Sequence, residues 1–234
     1  MSEAYLITGC QLPAGTPLEE ILAALFKSSG LKSNQVNEIH LFSDMAAALF
    51  QRRIDITSGP VQQWPLLPCF EINGLFSITR ALECGELSTV ILAEVSAHLS
   101  CAMLLANPTA VGRLNLSPRL RFGRRKNLPE GIADIPLLAS DLIASIPPEE
   151  PMPEEETPDL RVPPKRQSRP WLAIAGTGIS MDKKWPEDRL ISGTSLFPLL
   201  LKLVESIENS HSDPVVMVES GNDEPGSAVV VMPL

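Results

Sequence analysis

Thiols and imidazoles are the side chains from which acyl-transfer chemistry is most readily built, and this chain carries four cysteines and three histidines. A thiolate attacks an acyl carbonyl well at a helix N-terminus, where the dipole lowers its pKa and backbone N–H groups can hold the oxyanion. Cys69 opens the stretch where such chemistry would be sought: Pro68–Ser100, PCFEINGLFSITRALECGELSTVILAEVSAHLS, reads as strand, helix, glycine turn, strand. Phe70, Glu71 and Ile72 follow it directly, and a cysteine buried in a strand is the preferred reading of Cys69. Cys84 falls at a helix end, and Cys10 and Cys101 have no partner in the pattern. His40 lies in an early strand, His98 follows the VILAEV strand, and His211 sits in the polar stretch ENSHSDP.

Other chemistries find less support. The cysteines form no CxxC and no metal-type spacing, and Asp182, Glu187 and Asp188 have no His or Asp to complete a metal set. Ser58 and Ser96 lack the GxSxG elbow of hydrolases. The glycines at Gly176–Gly178 and Gly221–Gly226 follow neither phosphate-binding pattern. A net charge of −9 and 5% aromatic residues argue against nucleic acid and anionic membranes as partners. No run approaches a membrane span, and the first residues lack the basic and long apolar regions of a signal peptide. A reduced, cytoplasmic protein is expected. Against the acidic background, Arg113–Lys126 is a local basic run. Arg119, Arg121, Arg124, Arg125 and Lys126 are candidates for docking an acidic partner. A solvated loop, or pairing with Glu149, Glu150 and Glu154–Glu156, is slightly preferred.

The elements that would position these residues alternate between strand and helix. Tyr5–Cys10 reads as a strand. Pro17–Ser29 reads as a helix with Thr16 as N-cap and Gly30 as its stop. Val36–Phe42 is the next strand, and Asp44–Arg52 a short helix. Leu66–Ile72 is apolar enough for a buried strand, with Asn73 capping a helix over Gly74–Cys84 that Gly85 ends. Ser88–Val95 is the strongest strand, a continuous apolar run suited to a parallel sheet. Ile132–Leu142 is strand-like. From Ile146 to Pro170 the sequence is rich in Pro and charge and reads as a linker. Beyond it, Trp171–Ile179 is a strand, Leu196–Glu208 a helix capped by Ser195 or Thr194, and Val215–Glu219 and Ala228–Met232 two further strands. Strand–helix–strand order on both sides of the linker divides the chain into 1–145, the linker 146–170, and a shorter 171–234.

With these elements in place the chain resembles the ketosynthase branch of the thiolase superfamily. Ala81–Val95, ALECGELSTVILAEV, is similar to the family's helix end, glycine, acidic turn and buried strand. Phe70–Asn73 resembles its strand before the active-site turn, Trp171–Ile179 the strand opening its C-terminal half, and Ser220–Pro233 its closing glycine-rich hairpin. The resemblance implies a thiolase-like α/β fold of two related halves, the C-terminal one much reduced. It also places the family's nucleophile at Phe76 when FEIN is the anchor, or at Cys69 when Gly85 is. The turn that would carry a catalytic histidine reads Ser192-Gly193-Thr194-Ser195, and none of the three histidines lies in a Gly-His turn. Such a chain resembles a chain length factor, the inactive subunit of a ketosynthase heterodimer. That resemblance implies no catalytic residue, metal or cofactor of its own. It implies an active ketosynthase as partner, an acyl carrier protein as a further one, and Phe70, Leu75 and Phe76 as cavity-facing bulk, with ordinary core packing an equal reading of each. It further implies dimer pairing through Ser88–Val95 or its neighbour. A small active acyltransferase using Cys69, and a thiolase-like interaction protein, are the alternatives.

Overall fold

A computed structural model describes residues 3–43, 61–65, 70–127, 142, 171–175, 190–193, 196–208, 213–219 and 227–234. The strands are β1 (Ala4–Leu12), β2 (Glu38–Ser43), β3 (Val61–Pro65), β4 (Thr89–Val95), β5 (Ser100–Ala106), β6 (Leu120–Asn127), β7 (Trp171–Ala175), β8 (Leu190–Gly193), β9 (Val215–Glu219) and β10 (Ser227–Pro233). The longer helices are α1 (Leu18–Ser29), α2 (Phe70–Cys84) and α4 (Leu196–Glu208), with a short α3 (Pro108–Leu114).

The strands form one ten-stranded sheet in the order β3-β2-β4-β5-β1-β6-β10-β9-β7-β8. Its two sides mirror each other. β2 lies parallel between β3 and β4, while β5 runs antiparallel to β4 and to β1. Likewise β7 lies parallel between β8 and β9, and β10 runs antiparallel to β9 and to β6. The antiparallel pair β1–β6 joins the two units. Each unit therefore repeats one topology, with α2 returning the chain from β3 to β4 and α4 returning it from β8 to β9.

Period-two alternation decides which face each residue serves. One face carries Leu6, Phe42, Val90, Leu92, Met103, Phe122, Met217 and Val231, which pack with Leu75, Ile78 and Leu82 of α2 and with the leucines of α4. The other carries Ile39, Leu41, Ile91, Ala93 and Leu104 under Leu18, Ile21, Leu22 and Leu25 of α1. β4 and β5 are buried at every residue because helices cover both faces there.

Several expectations are met and several corrected. Gly30 closes α1 in the left-handed region (φ 71°) with its N–H on the Phe26 carbonyl. Pro17 takes the N-cap position of α1, and Thr16 instead donates its hydroxyl to the Pro13 carbonyl. Phe70–Ile72 are helical rather than a strand, and Asn73 lies inside α2 instead of capping it. The i, i+3, i+7 spacing of the buried Leu75, Ile78 and Leu82 accounts for a helix that the apolar content of Leu66–Ile72 obscures. β4 pairs parallel with β2, as its continuous apolar run suggests, and antiparallel with β5, and it is buried on both faces. The basic run Arg113–Lys126 is not a loop throughout: it begins at the end of α3, crosses the irregular Asn115–Arg119 and forms β6 between β1 and β10. β3, β5, β8 and α3 are additions. The Asp44–Arg52 helix, residues 132–141 and the linker lie outside the described residues, while Leu142 is helical and buried.

α4 approaches the first unit closely at Gly9. A Cβ on Gly9 would run into Leu201 Cδ2 and stand 3.2 Å from Met103 Cγ. Gly9→Ala is therefore expected to cost about 1–3 kcal/mol, measured by urea unfolding, and Leu201→Ala should make the second change less costly than it is in the wild type. An unchanged midpoint for Gly9→Ala would show that α4 does not pack there.

Candidate functional site

The C-terminal ends of β2 and β4 lie side by side, with Phe42 beside Glu94 and Ser43 beside Val95. α2 runs back across the sheet from the end of β3 to the start of β4, so its N-terminal end faces this same region. α4 reaches it too: the Phe197 ring in its first turn meets Phe42, with centroids 4.9 Å apart and planes inclined at 58°. The two units thus direct a helix N-terminus each toward one place, at the carboxyl ends of parallel strands where α/β folds place ligands.

Cys69 itself lies outside the described residues. α2 begins at Phe70, so the residue directly before its first helical position in sequence is Cys69. Phe76 stands in the second turn of α2, away from that mouth, partly buried against the core. Leu75 is fully packed in the core, at 1% exposure, and Phe70 is the first residue of the helix. Cys84, at the far end of α2, is exposed, Cys10 is half-buried, and Cys101 is buried beside Glu94.

Glu94 is a site residue that sequence reading passed over. It is a carboxylate at 4% exposure near the end of β4, and its Oε1 is 3.2 Å from the Ser96 hydroxyl. Ser96 Oγ also accepts from the Leu99 and His98 N–H groups at 3.0 and 3.3 Å. The signal was available: a lone acid inside the apolar run TVILAEV is costly to bury without partners.

The basic run supplies internal contacts rather than a uniform surface. Arg125 donates through Nη1 to the Phe76 carbonyl at 2.6 Å, pairs through Nη2 with Glu83 of α2, and lies 5.8 Å from the Phe76 ring centroid. Arg121 pairs with Glu3 at 2.9 Å. Among the described residues the acidic partners of these two are Glu3 and Glu83; the acidic linker lies outside the described residues. Arg119 is exposed at the start of β6, while the side chains of Arg124 and Lys126 lie outside the described residues.

His98 is exposed after β4. His40 is buried on β2 with Nε2 3.1 Å from Glu38 Oε2, and burial lowers its pKa from 6.5 despite that carboxylate. His211 lies outside the described residues. β8 ends at Gly193 and α4 begins at Leu196, so only Thr194 and Ser195 lie between them. Among the described residues no group of His, Cys, Asp and Glu could hold a metal ion, and no helix is long and apolar enough to cross a membrane. β4 is paired on both sides, and so are β2 and β5, which leaves none of these strands as a free edge for pairing across a dimer axis.

No protein-family model and no curated protein sequence matches the chain. Solved structures do. The Acat5 thiolase of Ascaris suum in complex with coenzyme A is similar at 10% identity, with 99% of this chain and 100% of that chain covered and a TM-score of 0.66. The peroxisomal 3-ketoacyl-CoA thiolase of Saccharomyces cerevisiae, described as two core domains of identical topology, is similar at 9% identity, covering 99% and 98%, with a TM-score of 0.61. OleA of Xanthomonas campestris with bound lauric acid and lauroyl-CoA is similar at 12% identity, covering 98% and 99%, with a TM-score of 0.56. The chain has the thiolase-like fold.

Two measurements check the site's electrostatics. Because the folded pKa of His40 lies below its unfolded value, the unfolded chain takes up a proton first as pH falls through 6.5. Stability should drop on acidification across that range, and His40→Gln should flatten the drop; identical urea midpoints against pH in both proteins would contradict it. Arg125→Ala should cost about 1–3 kcal/mol from its lost charged hydrogen bonds. Arg125→Lys should recover only part of this, since lysine cannot reproduce the fork, and full recovery would reduce the contact to simple charge.

Proposed function

We propose that this chain is a non-catalytic subunit, resembling a chain length factor, that pairs with an active ketosynthase and helps shape the cavity for a growing acyl chain. The observation that carries the reading is the join between β8 and α4. Only Thr194 and Ser195 separate Gly193 from Leu196, so the turn feeding α4 supplies no imidazole to assist decarboxylation or stabilise an enolate. The solved structures of similar fold include a thiolase with coenzyme A and OleA with lauroyl-CoA, which supports acyl thioesters as the ligand class. Bulk along α2 would then limit the room left for the chain, with Phe70 at its first position and the partly buried Phe76 as the candidates, Leu75 being taken up by the core. An acyl carrier protein is the proposed second partner, and Arg119, exposed at the start of β6, its foremost contact candidate. Co-expression with an active ketosynthase should raise soluble yield and give a one-to-one complex in size exclusion with mass detection. A well-behaved monomer indifferent to that ketosynthase would sink the reading.

A second reading rests on a different observation, the start of α2 directly after Cys69. A thiol there would lie under the positive end of the dipole and serve as an acyl acceptor. Rapid alkylation of Cys69 by iodoacetamide near neutral pH supports this reading, and a rate no faster than that of Cys84 removes it.

A further inference from the structure

Tyr5 of β1, Arg121 of β6 and Met232 of β10 stand in one row across the strands that join the two units, Arg121 being the register partner of both others. The Arg121 guanidinium is unevenly served. Its Nη1 donates to Glu3 Oε1 at 2.9 Å, and the other oxygen of Glu3 accepts the Tyr5 hydroxyl. Burial and the Glu3 carboxylate push Tyr5 up to about 12, so the phenol keeps its proton and Glu3 stays engaged at both oxygens. On the other side Nη2 donates to the Met232 thioether, with Sδ 3.3 Å away, and a thioether is a weak acceptor. Nε, which shares an edge of the fork with Nη2, is buried and has no acceptor among the described residues. Gly123 makes room for this arrangement: a Cβ there would stand 2.9 Å from Met232 Cε. Met232 itself is half-buried, whereas Met103 and Met217 are fully buried.

We propose that Met232 is a site of reversible oxidation by hydrogen peroxide and that Arg121 holds the sulfoxide once it forms. A sulfur lone pair attacks one peroxide oxygen, and the S–O bond forms as the O–O bond breaks. The proton of the transferred oxygen passes to the leaving oxygen, which departs as water. Sulfur gives up two electrons and the peroxide takes them. The sulfoxide oxygen is polar and accepts far better than the thioether, and the unbranched side chain lets it reach Nη2 and Nε. Oxidation of a methionine commonly disrupts packing because no donor waits for the new oxygen. Here the donor is already in place, and a buried donor without an acceptor costs stability until one arrives. The modification ties β10 to β6 where the second unit meets the first, and sulfoxide reductases reverse it. The inference is independent of any acyl chemistry at the mouth of α2.

The full chain is treated with dilute hydrogen peroxide beside Met232→Leu treated alike, and the methionines are mapped by peptide mass spectrometry. Met232 should gain one oxygen before Met103 and Met217 do. Peroxide should then move the urea midpoint of the wild type upward relative to the change it causes in Met232→Leu, a comparison in which oxidation at other methionines cancels. Met232→Gln tests the same contact without an oxidant, its amide oxygen taking the place of the sulfoxide oxygen. Its urea midpoint should exceed that of Met232→Leu by about 0.3 M, and this advantage should vanish when both changes are made on Arg121→Leu. Oxidation of Met103 or Met217 ahead of Met232, a midpoint lowered by oxidation of Met232, or a glutamine advantage that is missing or survives the loss of Arg121 would each overturn the proposal.

Discussion

The contact between Phe42 and Phe197 is where the two units of this chain become one structure. Phe42 comes from β2 of the first unit and Phe197 from the first turn of α4 in the second, and both rings are fully buried. Each unit alone would leave one face of its sheet apolar and uncovered. Together, α2 and α4 share a single layer that covers the face carrying Leu92, Met103, Met217 and Val231. Gly9 admits Leu201 to the backbone of β1, and Arg125 of β6 reaches into α2 at Phe76 and Glu83. Aromatic packing, close backbone approach and a charged fork thus all bind the helix of one unit to strands of the other.

This constraint also sets where chemistry can occur. A helix shared between units must start at the carboxyl ends of its own strands, which brings both helix N-termini to the place occupied by Phe42, Phe197 and the buried Glu94. The far end of α2 presents its carbonyls, Glu86 and the Glu38–His40 pair. The two ends of one helix therefore carry opposite electrostatic character, a consequence of backbone direction before any side chain is chosen.

Much of this was legible in the sequence. The helices over Leu18–Ser29 and Leu196–Glu208 show plain helical spacing with capping or turn signals, and TVILAEV and VVMVE read as strands from β-branched content alone. The order of elements was enough to suggest a thiolase-like fold, which the solved structures support at full length of the chain. Phe70–Ile72 misled because the stretch Leu66–Ile72 is apolar enough for a strand and Asn73 after it is a good N-cap residue; only the packing of Leu75, Ile78 and Leu82 selects the longer helix. β6 misled for a different reason. RLRFGRRKN is basic enough to suggest a solvated loop, yet Leu120 and Phe122 face the core while Arg121 and Arg125 find Glu3 and Glu83, partners distant in sequence. Glu94 was overlooked because one acid barely alters the mean character of an apolar strand.

The proposed role is a thiolase-like scaffold that supports an acyl-chain cavity without performing the acyl-transfer step itself. Intact-mass spectrometry after incubation with an acyl-CoA or acyl carrier protein, beside an active ketosynthase as control, tests it most directly. The control should gain the acyl mass while this chain keeps its unmodified mass. A stoichiometric acyl adduct on this chain, mapped to Cys69 and absent from Cys69→Ala, would contradict it.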